Sequence, residues 1–175
     1  NIYGQFVSLD GTLSGNNFVI SNANGYQFYP SIAFDQVNQR FLVVWGDYRS
    51  GANYDIYGQF VNADGSLYGS NFAISQETNH QYYPSVAYDS VNHRFLVVWQ
   101  DYRSGTNYDL YGQMVNANRS LYNDNFVISD NTDNQYNASV AYDDVNERFL
   151  VVWQDSRSGI SYDIYGQYVN PDTSL

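Results

Sequence analysis

Arg94-Phe95-Leu96-Val97-Val98-Trp99 is an unbroken apolar run behind a single arginine. A short run of β-branched and aromatic residues with no helical period reads as a β-strand covered on both faces. The same run stands at residues 40–45 and 148–153. Moving outward, Ile2-Tyr3-Gly4-Gln5 returns as Ile56-Tyr57-Gly58-Gln59, Leu110-Tyr111-Gly112-Gln113 and Ile164-Tyr165-Gly166-Gln167, so the start moves from position 2 to 56, 110 and 164, a period of 54 residues. Arg49-Ser50-Gly51 recurs at 103–105 and 157–159 in the same register. Residues 1–175 are therefore read as a single repeat array, with units 2–55, 56–109 and 110–163 and a partial fourth unit, 164–175.

Each unit has four strand-like segments, which in the middle of the chain are 84–88, 94–99, 109–115 and 125–129. The connections carry turn chemistry: Asp89-Ser90-Val91-Asn92 offers Asx-turns, and Asp64-Gly65 supplies a glycine for a left-handed position. Helix-free, four-stranded units of this length are expected to be blades of a β-propeller built of antiparallel sheets. Trp45, Trp99 and Trp153 are expected in the packing between blades. Three units are too few to close a ring, which typically has about four to eight blades. Completion is therefore expected either from self-association, with a homodimer giving six blades, or from a longer repeat chain of which this is a part. Without an initiator methionine or a basic and apolar leader, the sequence reads as a processed or excised piece.

The order Pro84-Ser85-Val86-Ala87-Tyr88, apolar strand, Asp101-Tyr102-Arg103-Ser104-Gly105, with Tyr54-Asp55-Ile56-Tyr57 and Asn62-Ala63-Asp64-Gly65-Ser66 in the preceding unit, resembles the TolB-type propeller repeat. It is also similar to tandem propeller repeats of uncharacterised secreted bacterial and archaeal proteins. The resemblance implies a propeller and no particular partner.

Eighteen acidic residues face seven arginines and no lysine, a formal charge of −11. That charge repels phosphate backbones and anionic lipid, so nucleic acid is not an expected partner. No apolar run reaches the length of a membrane-spanning helix. Cysteine is absent, which removes disulfides and thiolate metal sites. A polar surface rich in Tyr, Asn and Ser points to an extracellular or cell-surface location, or the periplasm.

In an antiparallel blade the second-to-third and fourth-to-first connections emerge at one end. There the sequence places Tyr48, Tyr54, Tyr102, Tyr108 and Tyr162, a candidate carbohydrate-binding set in which rings stack on sugars and neighbouring Asn and Asp bond hydroxyls. The same loops carry Asp47, Arg49 and Asp55, repeated as Asp101, Arg103, Asp109 and Asp155, Arg157, Asp163. An arginine fork between two carboxylates reads as a structural brace. Arg40, Arg94 and Arg148 are expected to pair with the Asp-rich turns. His80 and His93 lack metal-ligand spacing and are read as surface residues. No metal or other cofactor is expected; the loop Asp130-Asn131-Thr132-Asp133-Asn134 offers oxygens to calcium but lacks the glycine and glutamate of an EF-hand loop. No nucleophile elbow, zinc helix or phosphate loop is present, and the carboxylates recur symmetrically. The resulting expectation is a non-enzymatic module acting in assembly and protein–protein interaction, with a lectin-like propeller as the alternative.

Overall fold

A computed structural model describes residues 1–175 as thirteen β-strands without a helix. Strands β1 (Ile2–Val7) and β2 (Leu13–Ser21) form a two-stranded sheet. The first complete sheet is β3 (Gln27–Asp35), β4 (Arg40–Asp47), β5 (Asp55–Asn62) and β6 (Leu67–Ser75), in that order. Its successor is β7 (Gln81–Asp89), β8 (Arg94–Asp101), β9 (Asp109–Asn116) and β10 (Leu121–Ser129). The last sheet has β11 (Gln135–Asp143), β12 (Arg148–Asp155) and β13 (Asp163–Val169). All pairings are antiparallel between sequence neighbours, giving the meander of consecutive β-propeller blades.

The apolar run works through its period of two. On β4, Leu42 and Val44 join Ile56, Phe60 and Ile74 against the next sheet's Val86, Phe95, Val97 and Trp99. Val43 and Trp45 point the other way and meet Ile2 and Ile20 of the preceding sheet. Leu96, Val98, Leu110 and Met114 repeat the first arrangement against Phe149, Val151 and Trp153. The three tryptophans thus sit in the packing between blades, and each indole Nε1 donates to the aspartate two residues on, Asp47, Asp101 or Asp155, at 2.7–2.9 Å.

Gln59 and Gln113 explain the repeated Gly-Gln pair. Register slips at these residues, where the third strand bulges against the fourth. The Gln113 amide, fully buried, donates to the carbonyls of Met114, Tyr122 and Asn123, while its oxygen accepts from Asn125 at 2.6 Å. One side chain thus supplies donors to three backbone carbonyls around the bulge. Gly112 is required by closeness rather than by backbone angle, since a Cβ there would lie 2.8 Å from the Phe126 ring.

Seams between blades repeat as faithfully as the blades. Ser21 Oγ donates to Asn71 Oδ1, and Ser75 Oγ to Asn125 Oδ1. Asn53 Nδ2 donates to the carbonyls of Glu77 and Asn79, and Asn107 Nδ2 to those of Asn131 and Asp133 in the acidic loop 130–134. The last sheet has an open flank: Leu150 and Ile164 are 38% and 73% exposed, whereas their equivalents Leu96 and Leu110 are fully buried. On the first sheet the complementary face, with Tyr3, Val7 and Val19, is exposed as well.

Candidate carbohydrate-binding face

At one end of the blades, β3, β7 and β11 begin with the same irregularity. Their registers slip between Phe28 and Ser31, Tyr82 and Ser85, and Tyr136 and Ser139. Tyr29, Tyr83 and Asn137 occupy these bulges at φ of 55°, 51° and 52°. A bulky residue in the left-handed region costs about 1 to 3 kcal/mol, a strain typical of functional positions. Pro30 and Pro84, which follow, fit a point where no ladder donor is needed. In a regular strand, successive side chains face opposite ways. Here both members of each pair, Phe28 with Tyr29, Tyr82 with Tyr83 and Tyr136 with Asn137, line one bowl of about 510 Å³.

Tyr54, Tyr108 and Gln100 complete the lining. Tyr54 and Tyr108 are clamped to the following blade: their carbonyls accept from the amides of Gln81 and Gln135, and their amides donate to His80 Nδ1 and Asn134 Oδ1. His80 is therefore a half-buried clamp, packed on Tyr54 and Tyr82, rather than the free surface residue expected. His93 is exposed.

The rings form an arc. Phe28, Tyr54, Tyr82, Tyr108, Tyr136 and Tyr162 follow one another at centroid separations of 6.1, 5.0, 6.2, 5.5 and 6.1 Å. The arc alternates between blades because a residue beginning a third strand meets one beginning the next first strand. Tyr48 and Tyr102 lie outside the bowl, propping Tyr54 and Tyr108 at 4.8 and 4.9 Å. Where the third unit has Ser156, its hydroxyl bonds Asn134 instead. Of the five tyrosines singled out in the sequence, two line the bowl, two support them and Tyr162 extends the arc. Phe28, Tyr29, Tyr82, Tyr83 and Tyr136 were missed, although the doublets Phe28-Tyr29 and Tyr82-Tyr83 before proline were a visible signal. Burial, then neighbouring phenols, pushes the Tyr82 hydroxyl up to about 12, and burial raises Tyr54, Tyr108 and Tyr136 as well. These phenols are neutral donors at ordinary pH.

The arginine loops lie beside this face and are narrower braces than the sequence suggested. Arg49 engages Asp47 through two guanidinium bonds, at 2.9 and 2.6 Å, and stacks on Tyr57 at 3.8 Å. Arg103 pairs with Asp101 and stacks on Tyr111; Arg157 pairs with Asp155 and stacks on Tyr165. Burial opposes ionisation of Asp155, but bonds from Arg157 and Trp153 outweigh it and hold the carboxyl below its ordinary value. The second aspartate of each trio stands apart from the arginine pair. Asp55 and Asp109 are buried and accept from Asn53 and Asn107, at 3.1 and 2.8 Å, while Asp163 is exposed. Burial first, then a nearby carboxylate, Asp47 or Asp130, pushes both Asp55 and Asp109 up to about 6. Arg40, Arg94 and Arg148 do not pair with the Asp turns either. They lie over Tyr68, Tyr122 and Tyr168 at 3.7–3.8 Å, while Asp35, Asp89 and Asp143 each accept from two backbone amides of their own turns and from the side-chain amide of Asn38, Asn92 or Asn146.

No family model and no curated protein matches this chain, so the TolB-type resemblance is supported only as far as the propeller fold. Solved structures do match. An endo-arabinase from Bacteroides thetaiotaomicron VPI-5482 superposes at TM-score 0.58 and 12% identity over 93% of this chain and 63% of its own. An α-L-arabinofuranosidase from Lactobacillus brevis does so at 0.59 and 13% over 93% and 58%. A thermostable family-43 glycoside hydrolase does so at 0.54 and 13% over 98% and 71%. The chain spans about three fifths of the length of the first two. At these identities the shared property is the β-propeller fold. The matches nonetheless correct the expectation of a non-enzymatic assembly module: in the proteins this chain resembles, the architecture belongs to carbohydrate-active enzymes.

Proposed function

We propose that this chain is a carbohydrate-active propeller segment that binds a glycan chain across its aromatic arc. The carrying observation is the bowl, in which strained bulges bring consecutive aromatic side chains to one cavity alongside the Gln100 and Asn137 amides. Rings offer apolar faces to sugar C–H groups, and neutral phenols and amides bond hydroxyls. Several rings in sequence suit an oligosaccharide better than a single sugar. The names of the structural neighbours make arabino-oligosaccharides the first ligands to test, and a glycan ligand agrees with an extracellular or cell-surface location.

Titration calorimetry with arabino-, xylo- and cello-oligosaccharides is expected to show affinity rising with chain length. Tyr82→Ala and Tyr108→Ala should each weaken binding about tenfold, corresponding to about 1.4 kcal/mol for one lost ring. A flat isotherm throughout the series, or affinity indifferent to both substitutions, would sink the reading. Release of reducing ends, measured on the same mixtures, reports hydrolysis.

The open flank of the last sheet is proposed to be covered by an equivalent blade, supplied by a second copy or by further repeats of a longer chain. What supports this is that Leu150, Ile164 and Tyr168 on one end and Tyr3, Val7 and Val19 on the other match the two halves of each interior seam. Light scattering is expected to give twice the chain mass at micromolar concentration, and Ile164→Asp should return the monomer. A wild-type monomer at all concentrations rules out self-association.

A further inference from the structure

Tyr29 and Tyr83 are the equivalent bulge residues of β3 and β7, 54 positions apart in sequence and face to face in space. Their ring centroids are 3.9 Å apart with the planes tilted 30°, and the Tyr83 hydroxyl donates to the Tyr29 hydroxyl at 3.0 Å. The other tyrosine pairs on this face are wider, from 4.8 Å upward, and none shares a hydroxyl–hydroxyl bond. Both rings are also open to solvent, at 46% and 36% exposure. Their left-handed backbones fix the two side chains in place, so the rings meet without a search. At the next seam the third unit carries Asn137, so the chain holds one such pair.

We propose that Tyr29 and Tyr83 form an oxidative cross-linking site, coupling to a dityrosine that staples two neighbouring blades at the rim of the bowl. The oxidant is a one-electron oxidant of the haem-peroxidase class with hydrogen peroxide as terminal acceptor. Each hydroxyl loses one electron and one proton, giving two phenoxyl radicals. These join through ring carbons ortho to the oxygens, forming one carbon–carbon bond. The hydrogens on those carbons leave as protons while the oxygens are reprotonated, restoring both rings and both hydroxyls. The protein loses two hydrogen atoms in all, and the peroxide becomes two waters. Because the pair is already in contact, coupling within one chain outruns coupling between chains. The site rests on the geometry of the pair and not on the carbohydrate reading.

The test is to treat the folded protein with a peroxidase and hydrogen peroxide, then denature it and cleave after arginine. Cuts after Arg40, Arg49 and Arg94 separate fragments 1–40 and 50–94 and free the short peptide between them. The expected product is fragments 1–40 and 50–94 joined at Tyr29 and Tyr83, lighter than their sum by two hydrogens, with dityrosine fluorescence in monomeric protein. Tyr29→Phe and Tyr83→Phe, each keeping the ring, should reduce that product at least tenfold. Asn137→Tyr should add a second cross-link from position 137 to Tyr83. The proposal is overturned if the joined fragments are absent, if other tyrosine pairs dominate, or if the joined fragments persist in the phenylalanine variants. Unfolding the chain in denaturant before oxidation should abolish the product; a product that survives unfolding also overturns it.

Discussion

Replacing Asp101 by alanine is expected to lower the unfolding free energy by about 3 to 5 kcal/mol, the range for breaking a buried ion pair from one side. The carboxylate is wholly buried and does three jobs at once. It accepts from the Trp99 indole at 2.8 Å, from the Arg103 amide at 2.8 Å and from the Arg103 guanidinium at 2.6 Å. Alanine leaves an indole N–H unpaired in the core and a guanidinium with only Glu77, 3.8 Å away, and Asn125 to turn to. Asp101→Asn keeps an acceptor for the indole and loses the charge, so its cost should fall between wild type and alanine. Urea unfolding followed by tryptophan fluorescence measures both. A loss below about 1 kcal/mol for alanine would mean that the brace is a surface ion pair in effect.

Stability should rise as pH falls from 7 to 5, the reverse of ordinary acid behaviour. Asp55 and Asp109, pushed up to about 6 chiefly by burial, bind protons more readily in the folded chain than in the unfolded one. Between the unfolded value near 4 and the folded value near 6 the native state holds the extra protons, so lowering pH through that window favours folding. Partial access of solvent reduces the effect to on the order of 1 to 2 kcal/mol for each residue. Below the window the trend reverses, because Asp35, Asp143 and Asp155 are held below their ordinary value and lose their bonds on protonation. The melting temperature should therefore peak near pH 4, at the lower edge of that window. Asp55→Asn with Asp109→Asn should flatten the rise and raise stability at pH 7; an unchanged pH profile in the double variant would remove these two residues as its source.

Much of this fold was legible because repetition and the period of two agree. The run 94–99 announced a strand with both faces covered, and the structure buries alternate residues of it in two different seams. The fourth strand begins at Leu121, not Asn125, because the Gln113 side chain repairs a bulge that pattern reading takes for a turn. The bowl was hidden for the same reason: bulges at Tyr29, Tyr83 and Asn137 break the alternation that tells which side chains share a face. Charge counting assigned six of the seven arginines a carboxylate, whereas all six stack on tyrosine and three of them have no acidic partner. The candidate site was least legible, because a repeat shows its symmetric framework plainly while the bowl is assembled across blades.

The seams carry one more consequence. Ser21 to Asn71 and Ser75 to Asn125 are the same bond made twice, and so are the Asn53 and Asn107 clamps. A duplication or deletion of 54 residues between any two matching points therefore rejoins strands that already fit. Unequal recombination within such a gene can change the number of blades in one step, and no junction has to evolve afterwards.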